Sequence, residues 1–116
     1  MNELILLSVD DIIRENCKLT GAKCDEERAR AVAGCYSSFY YYDSPRLQIA
    51  SIVASLVKGH FFIDGNKRTA LSSYLVLAEI NKLKHIEDVD ELVRVFIDLA
   101  ASHASIEEVA ARLFPE

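Results

Sequence analysis

Apolar residues recur every three to four positions along nearly the whole chain, which is the spacing of helices with one buried face. Glycine occurs 4 times and proline twice, so few positions interrupt this pattern. Residues that favour helix N-termini precede the apolar stripes. The predicted helix starts, in chain order, are Ser8, Asp25, Ser44, Asn66, Asp88 and Ser105.

Local sequence defines several of these boundaries more closely. Three starts have an acidic residue three positions on, the spacing of a capping box, and these pairs are Ser8 with Asp11, Asp88 with Glu91, and Ser105 with Glu108. Proline directly after Ser44 is favoured in a first helical turn. The first three helices are expected to end at Gly21, at about Tyr36 and at Gly59.

The fourth predicted helix differs from the others because residues 70–80 are apolar on nearly every side. Such a helix is expected to be central and buried. The sequence contains no internal repeat, linker or low-complexity tract. The pattern therefore predicts an all-α fold, a compact helical bundle in which residues 1–116 form one domain.

One segment departs from the helical pattern. Five aromatic residues fall within positions 36–43, and they are Tyr36, Phe39, Tyr40, Tyr41 and Tyr42. Aromatic residues favour extended structure, so a short extended flap between the second and third helices is one interpretation. The alternative is a hydrophobic helix end that packs on the core.

Composition and charge exclude several classes of protein. A chain of 116 residues with 51% hydrophobic residues is not disordered, and a net charge of −5 disfavours bulk binding of nucleic acid. Any anion site must therefore be local. The N-terminal apolar stretch is too short for a signal peptide, and no run reaches membrane-spanning length. The three cysteines, Cys17, Cys24 and Cys35, are expected to be reduced and mostly buried thiols of a cytoplasmic protein.

The most informative segment is the nonapeptide at positions 60–68, His-Phe-Phe-Ile-Asp-Gly-Asn-Lys-Arg. It precedes a predicted helix start, where exposed N–H groups and the helix dipole attract anions. Gly65 allows the backbone to approach a phosphate closely. Lys67 and Arg68 oppose the dipole of that helix, and a bound polyphosphate would reverse this unfavourable interaction. The segment is thus predicted to bind a nucleotide polyphosphate.

Three other residues of the nonapeptide suit the same chemistry. Asp64 is a candidate ligand of Mg²⁺, which takes one or two protein carboxylates beside phosphate oxygens and water. His60 can accept a proton from an attacking hydroxyl, and Phe62 is predicted to be the buried anchor of the loop. Each residue alone would more often be a surface histidine, a turn or a solvated charge, but their joint occurrence indicates a functional site.

The nonapeptide resembles the signature of the Fic/Doc superfamily, H-x-F-x-[D/E]-[G/A]-N-x-R. The continuation over residues 66–71 is more similar to the Doc branch, the death-on-curing toxins. This resemblance implies an ATP-using, Mg²⁺-dependent transferase that modifies a protein hydroxyl. It implies that His60 is the general base, that Asp64 holds Mg²⁺ and that Phe62 is the anchor.

The resemblance also implies that Gly65 and Asn66 form part of the phosphate-binding loop and that Lys67 and Arg68 bind phosphates. Typical Fic adenylyltransferases have glycine in place of Lys67 and a second arginine in place of Leu71. In the Doc branch these two changes accompany phosphate transfer. The expected reaction is therefore transfer of phosphate from ATP to Ser or Thr of a target, with elongation factor Tu suggested by family analogy.

Two alternatives stay open, namely AMP transfer to a protein hydroxyl and a non-catalytic module that binds a partner. The aromatic residues Tyr40, Tyr41 and Tyr42 lie where the family has its target-docking flap. Fic proteins often carry an inhibitory S/T-x-x-x-E-G/N helix, and the nearest string here, residues 11–16, has Asp11 in place of the hydroxyl residue. We interpret that match as chance, so the resemblance implies a separate small antitoxin whose tail folds on binding.

Overall fold

The computed structural model describes residues 4–23 and 26–115. Over these residues the secondary structure is helical, with no β-strand, and the all-α prediction is confirmed. The α-helices are α1 Val9–Thr20, α2 Ala29–Val32, α3 Pro45–Lys58, α4 Asn66–Ile80, α5 Val89–Ala101 and α6 Ile106–Leu113. Short 3₁₀-helices occupy Glu26–Arg28, Ala33–Tyr36 and Phe39–Tyr41. None of the helices in the described ranges is both long enough and apolar enough to cross a membrane.

The predicted helix caps are formed by the expected side chains. Ser8 Oγ accepts the N–H of Asp11 at 3.0 Å, and the Asp11 carboxylate accepts the N–H of Ser8 at 3.3 Å. Ser105 and Glu108 form the same reciprocal pair at the start of α6. The first helix ends at Gly21 in the left-handed conformation with φ 74°. Because these contacts join residues close in sequence, the helix boundaries follow directly from local sequence.

The core lies around α3 and α4. Helix α3 packs against α4 and α6, and its residues Ile49, Ile52 and Val53 are fully buried. Helix α4 also contacts α1 and α5, which agrees with the predicted central position. The prediction that α4 is buried on all sides is wrong, however, because Val76 and Ile80 are exposed on its outer face.

Tyr74 of α4 joins three parts of the bundle. The side chain is fully buried, and its hydroxyl donates to the carbonyl of Leu113 and accepts the N–H of Ile86 at 2.9 Å. The ring contacts Phe96 and Phe114, with centroids 5.8 and 5.6 Å away. Burial raises the pKa of Tyr74, so the phenol stays protonated as these hydrogen bonds require.

The second predicted helix is present as a helical segment over residues 26–36, but only part of it is α-helix. Its expected start, Asp25, lies outside the described residues, and the segment that follows contains one turn of α-helix between two 3₁₀-helices. The buried residues Val32 and Cys35 are three positions apart, which matches the three-residue period of a 3₁₀-helix. The hydrophobic pattern therefore located a helical segment but not its type.

The expectation of an extended flap also requires correction. Phe39–Tyr41 form a 3₁₀ turn, and Tyr42, with φ −111° and ψ 143°, is extended. Phe39 is buried, as the alternative of a hydrophobic end on the core requires. Tyr40 and Tyr41 are 80% and 85% exposed, so the turn presents two aromatic rings to solvent. A 3₁₀ turn allows this division because consecutive side chains point in different directions.

The cysteines agree with the sequence analysis where the structure describes them. Cys35 is fully buried, and Cys17 is half-buried, whereas Cys24 lies outside the described residues. Burial raises the pKa of the Cys35 thiol to about 12, which keeps it protonated and unreactive at neutral pH. Within the described parts of the chain, no three His, Cys, Asp or Glu side chains cluster as a metal site.

Candidate active site

The nonapeptide forms the loop between α3 and α4 and the first turn of α4. Its entry is fixed by Gly59, whose N–H donates to the carbonyl of Ser55 at 2.7 Å. A Cβ atom at Gly59 would lie 2.5 Å from the ring of Phe61 and 2.6 Å from the Ser55 carbonyl oxygen. Glycine is therefore required here so that Phe61 can fold back over the end of α3.

The centre of the loop is held by Phe62 and Asn66. Phe62 is 7% exposed, which agrees with its predicted role as the anchor. The Asn66 side chain accepts the N–H of Phe62 at 3.1 Å and donates to the carbonyl of Phe62 at 2.8 Å. The oxygen and the nitrogen of this side-chain amide both form hydrogen bonds with the loop backbone, so the Asn66 side chain shapes the loop. The backbone N–H of Asn66, at the start of α4, is left to face an anion.

Two residues that the sequence analysis did not single out hold the loop from other helices. Asn16 of α1, 6% exposed, donates to the carbonyl of Asp64 at 2.8 Å and to Thr69 Oγ1 at 3.0 Å. Arg28 donates to the carbonyl of Phe61 at 2.8 Å. The role of Asn16 could have been suspected from the sequence only because it is a polar residue next to the apolar stripe of α1. It belongs to the 11–16 string that we interpreted as a chance match.

Gly65 precedes α4 in the left-handed conformation, with φ 77°. A Cβ atom there would lie 2.6 Å from Thr20 Cγ2 and 3.1 Å from Asn16 Nδ2. The glycine is therefore needed for the close approach of α1 as well as for its own backbone conformation. Gly65 provides no side-chain cap for α4, so the N–H groups of its first turn are left for another acceptor.

His60 has an unusual backbone conformation. Its φ is +50°, and among the described non-glycine residues only Lys82 shares a positive φ. Such conformations cost about 1–3 kcal/mol and cluster at functional sites. The His60 side chain is exposed and lines the cleft described below. The strained backbone thus places an imidazole at the opening of the loop.

Asp64 and Arg68 form an ion pair beside His60. One carboxylate oxygen of Asp64 accepts the N–H of Gly65 at 2.7 Å, and the other lies 3.4 Å from Arg68 Nη2. The second terminal nitrogen of Arg68 donates to the carbonyl of Leu19 at 3.2 Å. The two charged side chains are 74% and 56% exposed, so water screens their attraction and a charged ligand can replace either contact.

The predicted site residues meet in one cleft of about 570 Å³. Its lining includes His60 and all of residues 63–68, which form one wall. The buried Phe62 anchors this wall to the core. Tyr40, Tyr41 and Tyr42 are not part of the lining. The rest of the lining comes from Val57 and Lys58, at the end of α3, and from Ala100 and His103, which are distant in sequence and which no spacing pattern indicated. Because three cations face the single carboxylate of Asp64, the cleft is locally positive in a chain of net charge −5.

The donor set fits Mg²⁺ only together with a phosphate ligand. Asp64 is the one carboxylate in the cleft lining. A single carboxylate is a weak site for a metal ion by itself, whereas Mg²⁺ commonly combines one protein carboxylate with phosphate oxygens and water. The cleft volume lies within the range of small-molecule sites. The residues present therefore fit a magnesium-bound polyphosphate.

Comparison with known proteins agrees with this geometry. The sequence model of the Fic/DOC family matches residues 12–78, a span that contains most of α1, all of α3 and the nonapeptide, and most of α4. A relative named Toxin Doc, from Mycolicibacterium smegmatis, is 33% identical, and the match covers 72% of this chain and 68% of that protein. The chain belongs to the Fic/Doc family, in its Doc branch.

Proposed function

We propose that this chain is a Doc-like toxin that transfers the γ-phosphate of ATP to a Ser or Thr hydroxyl of a target protein. The observation that carries the proposal is the convergence of His60, Asp64 and the uncapped, cationic first turn of α4 on one cleft. The relative named Toxin Doc supports the toxin assignment.

The phosphates of ATP would lie against the N-terminus of α4. The N–H groups of the first turn and the positive end of the helix dipole would face the phosphate oxygens. Lys67 and Arg68 would add charge-assisted hydrogen bonds, with Arg68 leaving Asp64 and the Leu19 carbonyl. Asp64 would hold Mg²⁺, which when bound would neutralise charge that develops on the transferred phosphate.

His60 would act as the general base. Its imidazole would take the proton of the acceptor hydroxyl while the hydroxyl oxygen forms a bond to the γ-phosphorus. The bond between that phosphorus and the bridging oxygen of ADP would break, and ADP would leave with the electron pair. The hydrogen bonds between the Asn66 side chain and the Phe62 backbone fix the loop two residues after His60, which holds the backbone that carries the imidazole.

Two residues favour phosphate transfer over AMP transfer. Lys67 lines the cleft at the first turn of α4 and occupies space that a glycine would leave for an α-phosphate close to the backbone. Leu71, one turn later, packs against the hydrophobic core and does not supply a second arginine to the cleft. Both features favour a binding mode in which the terminal phosphate, rather than the α-phosphate, would lie near His60.

The partners belong to the same proposal. The exposed rings of Tyr40 and Tyr41, outside the cleft lining, provide a surface on which a protein substrate could dock. Following the family analogy, we propose elongation factor Tu as the target, a small antitoxin whose tail folds on the toxin, and a cytoplasmic site of action.

Transfer of label from ATP tests the reaction. The protein is incubated with elongation factor Tu and ATP labelled at the α or the γ position, and the product is weighed by mass spectrometry. Label from the γ position and a mass increase of one phosphate are expected. A mass increase of AMP would overturn the proposal in favour of AMP transfer, and binding of the target without any modification would favour the non-catalytic module.

Lys67→Gly sharpens this test. The variant is expected to lose phosphate transfer, with at most a small gain of AMP transfer because position 71 still lacks an arginine. Lys82→Gly is the matched control, since Lys82 is exposed, lies away from the cleft and has a φ of 56° that suits glycine. Equal phosphate transfer by the two variants would remove Lys67 from the mechanism.

A further inference from the structure

The side of the cleft opposite the phosphate loop is built from the C-terminal end of α5 and the connection to α6. Ala100 and His103 contribute to it, and both lie outside the residues matched by the family. Lys58, in the last turn of α3, donates a hydrogen bond from Nζ to the carbonyl of Ser102. This bond ties the α5–α6 connection to the helix that leads into His60.

The lining of the cleft divides by chemistry. Residues 64–68 supply backbone N–H groups and charges, which suit phosphate. The remaining lining contains three apolar side chains, two imidazoles and one lysine whose amine is bonded to the Ser102 carbonyl, namely Val57, Ile63, Ala100, His60, His103 and Lys58. Ile63 is 92% exposed, so this part of the cleft offers apolar surface that the fold itself does not cover. A nucleotide has the same division, with a polyanion at one end and a planar ring at the other.

We propose that the α5–α6 connection forms the nucleoside side of the cleft and that His103 stacks on the base of the bound nucleotide. This inference rests on the proposed function in one respect, namely that a nucleotide occupies the cleft. Imidazole is a planar aromatic ring, and stacking on such rings is a common way to bind a base. Lys58 is a positioning residue, because its hydrogen bond to Ser102 holds the adjacent His103 at the cleft.

Two ligands separate the two sides of the cleft. Binding of Mg-ATP and of Mg-tripolyphosphate, which has no nucleoside, is measured by titration calorimetry on the full chain. His103→Ala is expected to weaken ATP binding about tenfold, in line with the loss of one stacked ring, and to leave tripolyphosphate binding unchanged. His103→Phe keeps a stacking ring and is expected to restore ATP binding to within about twofold of wild type.

Matched variants control for indirect effects. Ser102→Ala should bind both ligands like wild type, because Lys58 contacts the backbone carbonyl and not the Ser102 side chain. Arg68→Ala should weaken both ligands, because it acts on the phosphates. Lys58→Met should weaken ATP more than tripolyphosphate, because it removes one cation of the cleft as well as the hydrogen bond to Ser102, and Lys58→Arg should restore both.

The outcomes distinguish this inference from the proposed function. If wild type binds Mg-ATP and His103→Ala binds it equally well, the stacking role is wrong while the proposed function stands. If His103→Ala weakens tripolyphosphate as much as ATP, His103 contacts phosphate and the assignment of the nucleoside side is wrong. If wild type binds neither ligand, both the inference and the proposed function fail.

Discussion

Replacing His60 with glycine is expected to stabilise the protein while it removes activity. The His60 backbone has φ +50°, a conformation in which Cβ crowds the following carbonyl oxygen. Glycine has no Cβ and adopts this conformation without strain. The side chain is exposed and lines the cleft, so its removal sacrifices little packing.

The magnitude follows from two opposing terms. The left-handed conformation costs a non-glycine residue about 1–2 kcal/mol. A glycine also lowers the free energy of unfolding by about 0.5–1 kcal/mol, because the unfolded chain gains conformational freedom. The net gain in the free energy of unfolding for His60→Gly is therefore about 0.5–1 kcal/mol, or a rise in Tm of about 2–4 °C for a chain of this size. His60→Ala keeps Cβ and the strain, so its stability should stay close to that of wild type.

Urea unfolding and a transfer assay test the two halves of this prediction. His60→Gly and His60→Ala should both lose about 10²- to 10⁴-fold in transfer rate, the usual contribution of a general base. Only the glycine variant should gain stability. Lys82→Gly, at φ 56°, is the control that should gain similar stability and keep full activity. The reasoning fails if His60→Gly is no more stable than His60→Ala, or if either variant keeps wild-type turnover.

Three further predictions concern ligands, packing and pH. In steady-state kinetics, Asp64→Ala should raise the Mg²⁺ concentration required for activity, and Arg68→Ala should raise the KM for ATP, each about tenfold or more. Normal kinetics of both variants at limiting Mg²⁺ and ATP would mean that the nucleotide binds elsewhere. Tyr74→Phe should lower the free energy of unfolding by about 2–4 kcal/mol, because the Ile86 N–H and the Leu113 carbonyl lose a buried partner; a loss near zero in urea unfolding would contradict this. Burial raises the pKa of Cys35 from 9.0 to about 12. The contribution of the protonated thiol to stability is therefore complete below pH 9 and is lost as pH rises towards 12. The free energy of unfolding of Cys35→Ala should accordingly decline less steeply at alkaline pH than that of wild type.

Local sequence predicted the features of this fold that depend on local contacts. The capping pairs at Ser8 and Ser105 and the left-handed Gly21 involve residues within four positions of each other. The same is true of the nonapeptide, whose nine residues carry most of one wall of the cleft. Where residue types alone determine the local geometry, their spacing in the sequence is enough to predict the structure.

The failures arise where distant contacts decide the structure. The 3₁₀ segments between α1 and α3 have apolar residues that fit more than one helical period, and packing chose between the periods. Asn16 and Arg28 bond carbonyls of the phosphate loop from positions far along the chain. His103 reaches the cleft only because α5 ends beside α3. No single-sequence pattern encodes such proximity, so Ala100 and His103 were not predicted to line the cleft.

The structure divides the family signature into residues that build the loop and residues that are presented to a ligand. Asn66, Gly65 and Phe62 are fully engaged in the fold, through two backbone hydrogen bonds, a close contact with α1 and burial. His60 and Arg68 are exposed in the cleft. Loss of activity in an Asn66 variant would therefore not by itself demonstrate phosphate contact, because the loop that carries His60 would change shape. Kinetic measurements report on the chemistry when they are made on variants of side chains, such as His60 and Arg68, whose removal does not change the shape of the loop.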